Sequence, residues 1–199
     1  MRSFIRLPQG PRISSDTLKV VGYTFGRRPG PAEHIKQLRK SYGARAWVIR
    51  HLRRLDLEPG LLVRIYFSLI RPIFDYASPA YHTTLTDQQS ESLERLQRST
   101  LTIFGLNVSY AAALEKANLQ TLKERREELF KNFTVKVFRS EKYRERWFTE
   151  RANPVYGLRN ERKLVQNYAR CERLQRSPIY MMRQLVNELI RTGELEQEH

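Results

Sequence analysis

Two-metal phosphoryl transfer needs carboxylates a few ångströms apart, and a zinc site needs histidine or cysteine at ligand spacing. The chain offers neither arrangement. Its aspartates, Asp16, Asp56, Asp75 and Asp87, fall in separate predicted elements, and its four histidines, His34, His51, His82 and His199, share no ligand spacing with one another or with the single cysteine, Cys171. Asp75 is read as a helix-ending or arginine-pairing residue, and Cys171, with no histidine near it in sequence, as an inert thiol. No phosphate-cradling glycine loop or dinucleotide fingerprint occurs. Catalysis by this chain alone is therefore not expected, and no catalytic residue, metal or cofactor is assigned to it.

Positive charge is what the sequence does concentrate. Lys and Arg number 36 against 21 Asp and Glu, a formal net charge of +15. Self-repulsion of that size adds nothing to folding, whereas a polyanion would neutralise it. Seven of the cations, Lys36, Arg39, Lys40, Arg45, Arg50, Arg53 and Arg54, lie in one predicted helix from Ala32 to Leu55, with Glu33 alone against them. On successive turns about 5.4 Å apart, such a row can track a phosphate backbone. Nucleic acid is the expected partner. A membrane surface is not, because no exposed helix combines a strong apolar face with low overall hydrophobicity. Trp47, beside the apolar stripe of the same helix, is read as core, base stacking being the alternative.

The elements that must position this face follow from periodicity. With 40% hydrophobic and 11% aromatic residues, the 199-residue chain has enough apolar surface for one good core or two small ones. The densest apolar run, Val63 to His82, carries Leu62, Ile65, Tyr66, Leu69, Ile70, Ile73 and Phe74 at spacings of three and four, which predicts a buried helix around which the rest is organised. Arg64, Arg71 and Asp75 interrupt it well short of the roughly 20 apolar residues a membrane span requires. Pro72 predicts a kink or break at Arg71, and the hydroxyls of Tyr66, Tyr76 and Tyr81 need partners if buried.

Taken in order, residues 1–17 read as a loop or a sheet edge, and Leu18 to Phe25 as a strand with Gly22 at a bulge or close approach. The basic helix carries Ile35, Leu38, Tyr42, Ala46, Ile49 and Leu52 inward. Pro59 suits the start of the central helix, and Pro79 with Thr83 and Thr84 its end. Thr86 to Gln89 is a capping box opening a helix that buries Leu93, Leu96, Leu101 and Phe104 and stops at Gly105. A short helix from about Ser109 to Lys116 precedes a longer one marked by Leu119, Leu122, Leu129, Phe130, Phe133 and Val137, whose Arg125-Arg126 and Glu127-Glu128 are expected to pair along its surface. Trp147 and Phe148 anchor a short helix, Asn153-Pro154 and Gly157 mark irregular chain, and Arg159 to Arg176 reads as a basic, partly extended arm anchored by Tyr168 and Leu174. Ser177-Pro178 caps a last amphipathic helix through Met182, Leu185, Leu189 and Ile190, and the acidic tail from Glu194 is expected to fray. The fold class is mainly α, a helical bundle with a short strand or hairpin near the N-terminus. Without an apolar stretch in the first ten residues and with one cysteine, a cytosolic or nuclear location is expected.

LKVVGYTFG, HIKQL, WVIRHL, IYFSLIRPIFDYASPAYH, LERLQRSTLTIFG, SY, LQTLKERR and SPIYMM, in this order and at these intervals, resemble the C-terminal part of a non-LTR (LINE/jockey-type) retrotransposon reverse transcriptase. The similarity runs from about Leu18 to Ile190. It implies that residues 1–30 correspond to the primer-grip edge of the palm, 31–140 to a helical thumb-like domain and 141–199 to a basic C-terminal extension with a terminal helix. It also implies that Gly22, Tyr23 and Thr24 lie near a primer strand and that the basic helix faces a template–primer duplex, an RNA–DNA hybrid. The fingers, the palm body with its aspartate-pair metal motif, an endonuclease and a Cys/His knuckle have no counterpart in the sequence, and Mg2+ would belong to that palm. Template–primer binding without RNA-directed DNA polymerase activity is the expectation. The alternative is a helical protein-interaction module that self-associates through exposed apolar surface, or a remnant without independent activity.

Overall fold

A computed structural model describes residues 16–28, 30–55, 57–149, 164–166 and 168–195. It is mainly helical with an antiparallel hairpin at its start, in which β1 (Thr17–Val20) pairs with β2 (Tyr23–Gly26), Leu18 opposite Phe25 and Val20 opposite Tyr23. The single strand expected over Leu18 to Phe25 is thus folded back on itself. Val21 and Gly22 take positive φ values of 44° and 78°, the combination whose twist suits a two-residue hairpin turn. Gly22 is therefore a turn residue and not a bulge, and a Cβ on it would run into the Tyr76 ring. Tyr76 donates its hydroxyl to the Val21 carbonyl at 2.8 Å, which ties the turn to the helical body.

Helix α1 (Ala32–Arg53) buries Ile35, Leu38, Tyr42, Ala46 and Ile49 along one side, as their spacing predicts. The organising stretch is helical but broken elsewhere than expected. Helix α2 (Pro59–Ile65) starts on Pro59, passes through a π-helical turn over Tyr66–Ile70, and continues as α3 (Arg71–Asp75). The wider turn lets Pro72 sit in the first turn of a new helical segment, where its missing N–H leaves no interior bond unmade, so the chain runs on past Arg71. It turns instead at Tyr76 and Ala77, the latter at φ 56°, before α4 (Ser78–Tyr81) and a 3₁₀ turn over His82–Thr84. Pro79 accordingly opens a helix where it was expected to end one. The π turn also rotates the apolar face, which leaves Leu69 at the surface while Leu62, Tyr66, Ile70, Ile73 and Phe74 are buried. Tyr66 donates to Gln97 Oε1 at 3.1 Å and Tyr81 to the Phe74 carbonyl at 2.6 Å, so both buried hydroxyls are satisfied.

Helix α5 (Asp87–Ile103) opens on the Thr86–Gln89 capping box, and Gly105 follows its end at φ 84°. Helix α6 (Tyr110–Ala117) is capped by Ser109, and α7 (Leu122–Arg139) by a second capping box, Thr121 with Glu124. One apolar cluster gathers residues from Ile35 to Leu122. A second joins Phe130, Val137 and Phe138 of α7 to Phe148, Leu164 and the Met182, Val186 and Leu189 face of α10 (Pro178–Thr192). Between them in sequence lie α8 (Glu141–Trp147) and α9 (Glu172–Gln175).

Four expectations for the second half need correction. Tyr168 is 86% exposed and Leu174 about half so; Leu164 and Ala169 are the buried anchors. Helix α9 is too short to lay an apolar side on α10, while Asn187 pins Leu164 by accepting from its N–H at 2.9 Å and donating to its carbonyl at 3.4 Å. Ser177 precedes α10 but donates to the Leu174 carbonyl at 2.7 Å instead of capping the helix with its side chain. Arg125 does pair on the surface, with Glu128 at 2.9 Å, yet Arg126 turns inward, 1% exposed, and donates to Ser90 Oγ at 2.7 Å. Of the loop expected over residues 1–17, residues 1–15 lie outside the described residues and Thr17 belongs to β1; the chain around Asn153, Pro154 and Gly157, the beginning of the arm at Arg159 and the tail beyond Leu195 also lie outside them. Glu194 and Leu195, where fraying was expected to begin, are held: Glu194 pairs with Lys131 at 2.6 Å, and buried Leu195 donates its N–H to the Leu189 carbonyl at 3.2 Å. Among the described residues, no helix is long and apolar enough to cross a membrane.

The burial of His82 sets a pH response. Burial first, then Arg126 and Lys123, lower the His82 pKa from 6.5 to about 4. Between those values the unfolded chain binds the proton and the folded chain does not. Stability is therefore flat above pH 6.5 and falls as the pH drops toward 4, by about 1–2 kcal/mol after allowance for the partial exposure of the ring. Urea midpoints at pH 7 and pH 5 should differ in the parent by more than in His82→Gln. Equal differences in the two proteins would contradict this account.

Candidate nucleic-acid interface

At about 100° per residue, Lys36, Lys40, Gly43, Trp47, Arg50 and Arg54 align at alternating spacings of four and three along the solvent side of α1, a strip about 27 Å long. Buried Ile35, Leu38, Tyr42, Ala46 and Ile49 hold the opposite side against the body, so the fold fixes which cations face water. All four cations of the strip are exposed. Lys36 comes within 3.9 Å of Glu33, with its side chain 81% exposed, which makes the pair energetically slight. Among the described residues, Arg39, Lys40, Arg50 and Arg54 make no side-chain hydrogen bond or ion pair, so their charge is free to act outward.

Arg39 sits beside the strip and, with Lys36, rims an open groove of about 470 Å³ toward α5, where Gln88, Gln89 and Ser92 form the far wall. A second groove, of about 480 Å³, shares Ala32 and Gln89 with the first and reaches Thr84, Arg173 and Arg176. Arg173 and Arg176 are thus brought near the head of α1 by tertiary folding alone. Arg176 is pulled back by Glu172 at 2.7 Å.

Two of the seven cations leave the face. Arg45 points to the other flank and donates from Nη1 to the Leu69 carbonyl in the π turn at 3.1 Å. Arg53 donates from Nη1 to the Ile103 carbonyl at 2.5 Å, capping the end of α5, and a Cβ on Gly105 would collide with its guanidinium. Both serve the fold, because an exposed carbonyl lay within reach of each.

Trp47 is 57% exposed and is not the core residue it was read as. Its neighbours Ala46 and Ile49 take the buried positions, which turns residue 47 outward. Its ring lies 3.9 Å from that of His51, whose Nδ1 is 2.9 Å from the Trp47 carbonyl. The exposure was missed because tryptophan usually packs inward; the angular register of residue 47 carried the signal.

Gly22, Tyr23 and Thr24 are gathered at the hairpin, not on the strip. Tyr23 stacks on His34 at 4.5 Å, and the Thr24 N–H donates to His34 Nδ1 at 3.5 Å. His34 is itself buried, with Tyr81 at 5.1 Å, and burial lowers its pKa, which favours the neutral ring that accepts this bond. Tyr23 and Thr24 fasten the hairpin to the first turn of α1, just before Lys36, while Gly22 lies against Tyr76.

Asp75 is taken up by Arg71 at 3.4 Å and Arg125 at 3.2 Å, and Cys171 is an exposed free thiol. Among the described residues, no group of three or more His, Cys, Asp and Glu comes together. What α1 presents is a set of point charges and one aromatic ring, suited to holding a polyanion.

Fold and strip together define a class, a helical body with an exposed basic helix face. Comparison with protein-family models, curated proteins and solved structures returns no match.

Proposed function

We propose that the chain is a nucleic-acid-binding module of the thumb type, related to non-LTR retrotransposon reverse transcriptases, that holds an RNA–DNA hybrid or similar duplex through its phosphates. The observation that carries this reading is the exposed strip Lys36, Lys40, Arg50 and Arg54, with Arg39 beside it, against which Glu33 is the one carboxylate in contact among the described residues. Phosphate contacts of this kind position a duplex without reading its sequence, so two hybrids of unrelated sequence should bind alike. Polymerase chemistry is not part of the proposal, and the cytosol or nucleus is the compartment it suits. Equilibrium binding of the purified chain to a hybrid of about 20 base pairs tests the reading. Affinity that is measurable at ~50 mM salt and indifferent to sequence supports it. A folded chain that leaves the hybrid unbound at that salt overturns it.

A second reading draws on the hairpin. Leu18, Val20, Val21 and Phe25 are exposed there on the two-stranded hairpin, a surface that another protein could cover. Concentration-dependent self-association that survives high salt would favour it.

A further inference from the structure

Phosphate contacts leave Trp47 unused. The indole lies midway along the strip, and its two sides differ. His51, one turn on, covers one side and is itself held by the Trp47 carbonyl. One turn back stands Gly43, where an added Cβ would meet nothing within 4 Å. Helical side chains lean toward the N-terminus, which aims the indole over Gly43 and leaves a gap on that side where the glycine offers no side chain of its own. Glycine within a helix costs about 0.5–1 kcal/mol relative to alanine, and nothing in the packing here requires it. A π face backed by a second ring and set among cations is what sequence-tolerant base stacking uses. Bases inside a duplex are already stacked on one another, so only an unpaired base has a face to offer.

We propose that the gap between Trp47 and Gly43 receives one unpaired nucleobase, so that α1 binds a single-stranded segment whose phosphates lie along Lys36, Lys40, Arg50 and Arg54. This rests on reading the strip as a phosphate-binding surface.

The chain has two tryptophans, so Trp147→Phe leaves Trp47 as the sole indole reporter. Titration with oligo(dT) of about 12 nucleotides is expected to quench its emission, whereas an abasic oligomer of equal length and charge binds without quenching and on the order of 10-fold more weakly. Trp47→Ala should lose that 10-fold for oligo(dT) and change nothing for the abasic oligomer. Gly43→Leu fills the gap, keeps every charge and favours the helix, and should show the same loss as Trp47→Ala. Equal quenching and affinity for the two oligomers, or unchanged oligo(dT) affinity in both variants, overturns stacking while leaving the phosphate strip intact. If neither oligomer binds while the hybrid does, stacking falls and the strip reading stands; if the hybrid is unbound as well, both fall. Emission that changes with protein concentration alone means a second copy covers the indole, which also overturns the proposal.

Discussion

Replacing Lys36, Lys40, Arg50 and Arg54 together by alanine is expected to weaken hybrid binding by on the order of 10²- to 10³-fold at ~100 mM salt, and by the same factor for hybrids of unrelated sequence. The effect is large because each phosphate contact releases a condensed counterion, and four such releases are lost at once. The fold should survive, since these side chains are exposed and only Lys36 has a described partner, the loose contact with Glu33. Arg45 and Arg53 supply the contrast. Their guanidiniums hold the Leu69 and Ile103 carbonyls, so Arg45→Ala with Arg53→Ala should lower stability by about 1–2 kcal/mol and leave most of the affinity in place. Binding isotherms and urea unfolding on both variants separate the two roles. Equal loss of affinity in the two variants would mean that the strip is not a distinct surface.

Glu94→Ala is expected to be among the most destabilising single substitutions, at about 3 kcal/mol. The Glu94 side chain is buried between α5, α6 and α7. Its carboxyl oxygens accept from the Tyr110 hydroxyl at 2.7 Å, the Leu122 N–H at 3.2 Å and the Lys123 N–H at 2.7 Å. The last two are among the N–H groups that the start of α7 cannot pair within the helix. A carboxyl group there also lies at the positive end of the helix dipole. Truncation would leave three buried or half-buried donors without an acceptor, each worth about 1 kcal/mol or more. In a chain of this size the thermal midpoint should fall by about 6–12 °C. Glu94→Gln, which keeps an acceptor oxygen, should cost less. A loss below about 1 kcal/mol for the alanine variant would show that α7 is capped adequately by Thr121 and Glu124 alone.

Much of the fold was legible because it rests on local rules. The Thr86–Gln89 box, the Gly105 stop and the buried side of α1 follow from spacing and capping chemistry that act within a few residues. Pro72 was misread for a reason equally physical: one wider turn relieves a proline as well as a break does, and no sequence pattern distinguishes the two. Arg126 was misread because a charged pair in a helix is ordinarily solvated, and only the facing Ser90 hydroxyl, brought in from α5, shows that this guanidinium lies inside. The same limit applied to the interface. The seven cations could be counted in the sequence, but the carbonyls that withdraw Arg45 and Arg53 from the face are at Leu69 and Ile103, many residues away. Trp47 reads as a core residue until its outward register, shared with Gly43 one turn back, is known.

The salt dependence of hybrid binding tests the central claim most directly. With the exposed strip and Arg39 on phosphates, a plot of log affinity against log salt should fall with a slope of roughly −4, and the variant lacking Lys36, Lys40, Arg50 and Arg54 should show a slope near −1. A shallow slope shared by parent and variant, from folded protein, would contradict the account and direct attention to the hairpin surface instead.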